Sequence, residues 1–312
     1  IRDFCLSRGL GDVYKRQIQD WLIDKPLFAM PQPMQFDDPL VHKHCMKEIE
    51  EAWKFIEEQT GETFDWDAFF RAMKVYNQET EYELQKWEVN RTPYPQMTGE
   101  TFWIYRMFFY HLSGGMDPHF LDTDRRVNRI MMRGYQQKKP CAPAMRHRCV
   151  EWSCPANFYP DFSVWAENCW GINVVASMES LISDIIINTE DRDQALADLA
   201  RSYQRTTMRK HTKGGYANVL DELWIVCKQY NADMVLMYDQ ISCKGMDGLR
   251  GVFEEQAAAR GVHMLWVAQD LLDSRTISKR DMRRQVNLYM QTVMGEEPVR
   301  PDLVDFDDAL TW

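Results

Sequence analysis

The stretch that most constrains the fold lies in the last third of the chain. Residues 232–241 read Ala-Asp-Met-Val-Leu-Met-Tyr-Asp-Gln-Ile, an apolar run rich in strand formers. A helical pattern follows from Met246 to Arg260, then a second apolar run from Val262 to Val267. Two strands joined through a helix within about 30 residues form a βαβ unit, whose strands must be parallel. In open parallel sheets, ligands gather at the carboxyl ends of the strands. Cys243 lies just past the first strand, between Ser242 and Lys244. Asp270, Asp273 and Arg275 lie just past the second. A thiol and a charged group are therefore expected on one rim of the sheet.

Upstream of this unit the same texture begins at Lys139. A strand is expected at Cys149–Ser153, a helix at Ala156–Asn168 and a strand at Gly171–Ser177. Helices are expected at Asp191–Tyr203 and Ala217–Tyr230. Ser278 and Asp281 have capping-box spacing for a last helix to Met294, with Met282, Val286, Tyr289 and Met290 on its apolar face. An acidic tail, Asp302 to Trp312, offers Leu310 and Trp312 for docking.

Positions 39–138 read instead as a helical layer. Val41, Cys45, Ile49, Ala52, Trp53 and Ile56 recur at helical spacing. A second helix, capped near Asp65, is expected to bury Trp66, Phe69, Phe70, Met73, Tyr76, Leu84 and Trp87 and to break at Asn90–Pro95. Phe102–Leu112 and Asp122–Gln137 are further helices. Pro26–Met30 reads as a short buried strand, cut off by Pro31 and Pro33. The fold class is thus α/β: a parallel-sheet, flavodoxin- or Rossmann-like C-terminal domain over 139–312, preceded by the helical segment. Residues 18–38 are expected to be the remnant of a first α/β domain.

Residues 1–17 resemble the translation of a sequencing-adapter read-through, with neither an initiator Met nor the apolar core of a signal peptide. We therefore expect them to be a non-native leader and the chain to be an N-terminally truncated fragment. At 312 residues, 45% apolar and 27% charged, the chain has the composition of a globular protein. A net charge of -10 argues against a general nucleic-acid surface. No apolar run reaches the ~18 residues that a membrane span needs. Eight cysteines in a chain of this length, with no secretory signal, read as cytoplasmic thiols or metal ligands.

Ser242-Cys243-Lys244, the Gly261–Leu265 stretch, Asp270-x-x-Asp273-x-Arg275 and the helix from Ser278 together carry a resemblance. They are similar to the C-terminal part of the 2-hydroxyacyl-CoA dehydratase family, which includes the benzoyl-CoA reductase subunits. The similarity extends from about Asp24 to the end of the chain. The resemblance implies a subunit of an oxygen-sensitive, cytoplasmic lyase that removes water from an (R)-2-hydroxyacyl-CoA through a ketyl radical. It implies a [4Fe-4S] cluster held by three cysteines, of which Cys243 would be one and the others would lie in a preceding domain. Ser242, Lys244, Asp270, Asp273 and Arg275 would lie near that cluster. It also implies a homologous second subunit in a heterodimer, an ATP-dependent iron–sulfur activator and an acyl-CoA substrate. A benzoyl-CoA reductase-type subunit and a structural partner without a cluster are the alternatives.

Read from the residues alone, Cys243 is flanked by Lys244, whose charge favours the thiolate, although a lone cysteine is more often a small buried hydrophobe. Cys141, Cys149 and Cys154, with His147, form a rival ligand set, of which Cys149 and Cys154 are the secondary metal candidates. Their spacing matches no compact zinc knuckle. Arg125, Arg126, Arg129 and Arg133, with Lys138 and Lys139, make the densest basic patch and would suit coenzyme A phosphates. A solvated or subunit-facing helix is the plainer reading. Gly214-Gly215 before a helix offers an anion-binding turn or a simple hinge. Asp270, Asp273 and Arg275 either orient groups near Cys243 or merely fix a turn. There is no glycine-rich phosphate loop, zinc-protease motif or nucleophile elbow.

Overall fold

A computed structural model describes residues 26–30, 35, 38–98, 118–142, 144–178, 181, 183–206, 210–211, 215–241 and 243–305. The chain forms two compact units: residues 1–74 with 183–218, and residues 75–182 with 219–312. The leader, the expected helix at Phe102–Leu112 and most of the acidic tail lie outside the described residues.

In the first unit, α1 (Pro39–Thr60) starts where Asp38 accepts a hydrogen bond from the Leu40 N–H at 2.7 Å. It ends at Gly61, whose φ of 74° is a left-handed C-cap. Cys45 and Ile49 pack against Leu196 and Ala200 of α5 (Arg192–Arg205). Trp53, Phe64, Trp66 and Phe69 form an aromatic cluster, with Trp53 stacked on Phe64 at 4.2 Å. The Arg192 guanidinium lies 5.3 Å from the Trp66 ring. Pro26–Met30 is irregular rather than the expected strand. No described strand lies beside it, and an unpaired segment gains no ladder hydrogen bonds.

The second unit is built on a four-stranded, all-parallel sheet in the order β2-β1-β3-β4. The strands are β1 (His147–Trp152), β2 (Ile172–Ser177), β3 (Met234–Gln240) and β4 (His263–Gln269). On one face, Cys149, Met234, Leu236, Tyr238, Leu265 and Val267 pack with α4 (Phe162–Trp170) and α9 (Lys279–Tyr289). On the other, Val150, Trp152, Val235 and Met237 pack with α6 (Tyr216–Gln229) and α8 (Arg250–Arg260). Burial on both faces explains why these strands read as continuous apolar runs.

Several boundaries differ from expectation for local reasons. Helix α4 begins at Phe162 rather than Ala156, because Pro155 and Pro160 hold the intervening segment in turns. The helix expected from Met246 divides into α7 (Lys244–Asp247) and α8. Gly248 marks the break, and a Cβ there would meet the Lys244 carbonyl oxygen at 2.9 Å. The last helix has the expected capping box at Ser278 and Asp281, then loosens into a π turn over Met290–Met294.

Helix α2 (Trp66–Arg91) begins after Asp65, whose carboxylate accepts the N–H groups of Asp67 and Ala68. Of the apolar side chains expected to be buried there, only Trp87 is fully so; the aromatic residues near its start are half-buried in their own cluster. The helix buries polar groups instead. Lys86 is completely enclosed and donates to Glu83 and to Asp124 of α3 (Pro118–Gln136), the latter at 2.6 Å. Burial pushes the Asp124 carboxyl up to about 6, against the pull of the Lys86 charge.

Amide side chains bond to backbone on both outer strands of the sheet. Buried Asn90 donates to the Val175 carbonyl on β2 at 3.0 Å and to Met97, and accepts from the N–H groups of Gln96 and Met97. On β4, the Gln285 amide accepts from the Ala268 N–H and donates back to its carbonyl. At the amino ends of the strands, His147 donates to Asp233 at 2.7 Å and to Glu296 at 2.9 Å. The Asp233 hydrogen bond, more than that to Glu296, holds the imidazole in its charged form against burial.

Two measurements test these arrangements. Asn90→Ala strands several buried backbone groups and should lower unfolding free energy by about 2–4 kcal/mol in urea titrations. The His147 pKa is raised and the Asp233 pKa is lowered, despite burial that opposes both. The clip's contribution to stability should therefore be present between about pH 4 and about pH 6.5. It should fall as pH rises through the raised histidine pKa or drops through the lowered carboxyl pKa. His147→Gln should flatten that profile in thermal melts.

Candidate functional site

The strand order creates the site. From β1 the chain crosses through α4 to β2 on one side; later it enters β3 on the other side of β1 and leaves through α8 on the opposite face. The loops after β1 and β3 therefore part company, and a crevice opens between their carboxyl ends. Such a switch point is where open parallel sheets bind ligands.

A small cleft occupies this place, lined by Glu151, Pro155, Tyr159, Pro160, Ser163 and Tyr238. Its cavity volume of about 10 Å³ matches about one water. Glu151 comes from β1, directly opposite Leu236 of β3, and is 1% exposed. Tyr238 donates its hydroxyl to Glu151 Oε1 at 2.5 Å, and Ser163 of α4 donates to the same oxygen at 3.0 Å. Burial, then the Glu151 charge, pushes the Tyr238 phenol well up, so it stays a donor. Tyr159 accepts a hydrogen bond from the buried Arg283 of α9 at 2.8 Å, and the Lys279 ammonium lies 5.0 Å from its ring. The end of β1 is strained, because Ser153 is buried with a φ of 70°, a region that favours glycine.

The expected rim is present. Cys243 is part-exposed and caps the short helix α7 just beyond β3, with its N–H bonded to the Gln240 carbonyl. Ser242 lies outside the described residues, and Lys244 is exposed. Beside Cys243, burial pushes the Asp239 carboxyl up to about 6, helped by Asp247, while Arg250 approaches Asp239 at 3.5 Å. Asp270 accepts the N–H groups of Leu272 and Asp273. Asp273 holds Arg275 by a forked ion pair, closest at 2.6 Å, and the Arg275 side chain is 89% exposed. The geometry of these three is that of a turn being fixed.

The rival cysteines do not assemble. Cys149 is 0% exposed in the sheet interior, and burial holds its thiol well above its usual range. Cys154 is part-exposed just past β1, where its carbonyl accepts from Gln269 at the end of β4. Cys141 is an exposed residue, yet its thiol is pushed up to about 11, by desolvation and then by the Glu167 charge. His147 is taken by its two carboxylates. Among the described residues, no three His, Cys, Asp or Glu side chains converge as a metal site. A [4Fe-4S] cluster takes several thiolates. The described part of the chain therefore supplies two part-exposed thiols just past strand ends, Cys243 and Cys154, and does not by itself fit the cluster.

Arg126, Arg129 and Arg133 are exposed on α3, with Lys138 and Lys139 just beyond it, while Arg125 pairs with Asp122 at 2.8 Å. Gly214 lies outside the described residues; Gly215, with a φ of 78°, leads into α6. Glu151 and Tyr238 escaped the sequence reading. A carboxylate inside the apolar run Cys149-Val150-Glu151-Trp152 was the available signal.

Residues 8–292 match the family described as 2-hydroxyglutaryl-CoA dehydratase, D-component. The chain belongs to that family. The matched range opens inside the stretch expected to be leader. No curated protein matches the chain. Family membership makes this a dehydratase-type enzyme component that works with a partner component. Among the described residues, no helix is long and apolar enough to cross a membrane.

The exposure of the thiols gives a direct test. Iodoacetamide under native conditions should label Cys243 and Cys154 before Cys149, Cys169 and Cys227. Burial pushes the thiols of Cys169 and Cys227 up to about 12. Mass spectrometry of tryptic peptides reads the order, and early labelling of Cys149 would contradict the placement.

Proposed function

We propose that this chain is one subunit of a 2-hydroxyacyl-CoA dehydratase, eliminating water from an (R)-2-hydroxyacyl-CoA thioester. The observation that carries the reading is the family match together with a part-exposed cysteine on the carboxyl rim of the sheet. In this reading Cys243 is one ligand of a [4Fe-4S] cluster, and the remaining ligands come from outside the described residues. Its position beyond a strand end, on a turn rather than in the core, suits a thiolate that must reach a cofactor.

The hydrogen removed from C3 of a 2-hydroxyacyl thioester is barely acidic. One electron added to the thioester gives a ketyl radical that expels the hydroxyl, after which that hydrogen becomes far more acidic. The electron comes from an ATP-dependent iron–sulfur activator, and a homologous second subunit completes the enzyme, which works in the cytoplasm without oxygen. The chain's own contribution is a binding rim and the preorganised polar groups around the switch point.

The test is iron and acid-labile sulfide on the complete reading frame, purified without oxygen beside its partner subunit. The reading predicts about four of each in this subunit. Cys243→Ala should lose them while keeping its circular-dichroism spectrum, since a part-exposed turn residue carries little packing. No iron in the wild-type subunit, with a cluster in the partner, would make this chain a structural half. Full iron in Cys243→Ala would remove that residue from the ligand set.

A further inference from the structure

The polar cleft at the switch point is built in a specific way. A carboxylate sits in the centre of an otherwise apolar strand, 1% exposed, at the one place where the sheet's connections diverge. Two hydroxyls from different elements, Tyr238 on β3 and Ser163 on α4, donate to one of its oxygens. The cleft beside it has room for about one water. Its far wall is Tyr159, fixed by Arg283. The backbone leading out of β1 is strained at buried Ser153, and strain of that kind concentrates at functional sites.

We propose that Glu151 is the inner end of a proton relay, connected through one water in the cleft to the reacting carbon of the substrate. This inference rests on the dehydratase reading. Loss of water from a 2-hydroxyacyl thioester breaks the C2–O and C3–H bonds and forms the C2–C3 double bond, with no net oxidation or reduction. The C3 proton passes to the water, and the water gives a proton to the Glu151 carboxylate. The C3–H electron pair supplies the new π bond. The hydroxide, already expelled from the ketyl radical, then takes that proton from Glu151 through the same water and leaves as product. Tyr238 and Ser163 are positioning residues that stabilise the carboxylate between turnovers.

Among the described residues, the titratable and charged groups placed against Glu151 include Tyr238 of β3, Cys149 of β1 and Tyr159 of the cleft wall. Arg283 and Lys279 of α9 act on Tyr159 across the cleft. Burial holds Tyr238 and Cys149 protonated, and Glu151 is the carboxylate that lines the cleft.

The experiment uses the complete enzyme with its partner and activator, assayed anaerobically on an (R)-2-hydroxyacyl-CoA over a range of pH. Glu151→Gln should keep the wild-type iron content and melting temperature and lose about 10²–10⁴-fold in kcat. The acid limb of its pH profile should vanish, and Glu151→Asp should restore part of both. Wild-type rate and profile in Glu151→Gln would overturn the proposal. A rate loss with an unchanged pH profile and no rescue by Asp would also overturn it, as the mark of a structural role. Should Glu151→Gln fail to fold, Tyr238→Phe keeps the ring and removes the donor. It should move the acid limb to higher pH, and an unmoved limb would overturn the relay. A wild-type enzyme that is fully assembled but does not dehydrate would sink the dehydratase reading, and the relay with it. An active wild type with an indifferent Glu151→Gln sinks the relay alone.

Discussion

The pairing of β1 with β3 is the constraint on which the rest depends. Cys149, Val150, Glu151 and Trp152 lie opposite Met234, Val235, Leu236 and Met237, in parallel register. Each strand sends its following helix to a different face, so both faces must be apolar and the loops must separate at the carboxyl end. Packing thus creates the cleft: the same register that buries Trp152 completely on one face turns Glu151 toward the other. Fully burying side chains such as Trp152, Phe253 and Leu236 stabilises the unit by about 1.5–3 kcal/mol each.

Around that sheet, buried polar groups specify rather than merely fill. Asn90 and Gln285 each satisfy backbone groups on an outer strand, at Val175 of β2 and Ala268 of β4. His147 ties the start of β1 to the residues before β3 and after the π turn. Lys86, fully enclosed, joins α2 to α3 through Asp124. Removing one partner from any of these leaves a group that water no longer solvates, which costs more than the intact contact contributes.

The βαβ unit was legible because its strands are buried on both faces, so Met234–Tyr238 and Met264–Val267 stand out as runs. Cys243 and the capping box at Ser278 followed from that reading. The order of strands was not legible, since nothing in the local pattern says that β3 returns beside β1. The switch-point cleft was missed for that reason, although its members Glu151 and Tyr238 were in view. The helix expected at Ala156–Asn168 starts only at Phe162, because Pro155 and Pro160 hold residues 156–161 in turns. The buried polar face of α2 was hidden because Glu79, Glu83 and Lys86 look like a solvated stripe until α3 supplies a partner. Among the described residues the rival set does not converge, because spacing along β1 places Cys149 inside the sheet and Cys154 just past its end.

The central claim is that this rim serves the elimination of water from a 2-hydroxyacyl thioester. It is tested most directly by incubating the assembled, cluster-loaded enzyme with activator, ATP and a panel of (R)-2-hydroxyacyl-CoA thioesters under anaerobic conditions. Mass spectrometry of the thioesters should show a 2-enoyl-CoA product lacking one water, formed only when this subunit is present. An assembled complex with full iron that leaves every thioester in the panel unchanged would contradict the account.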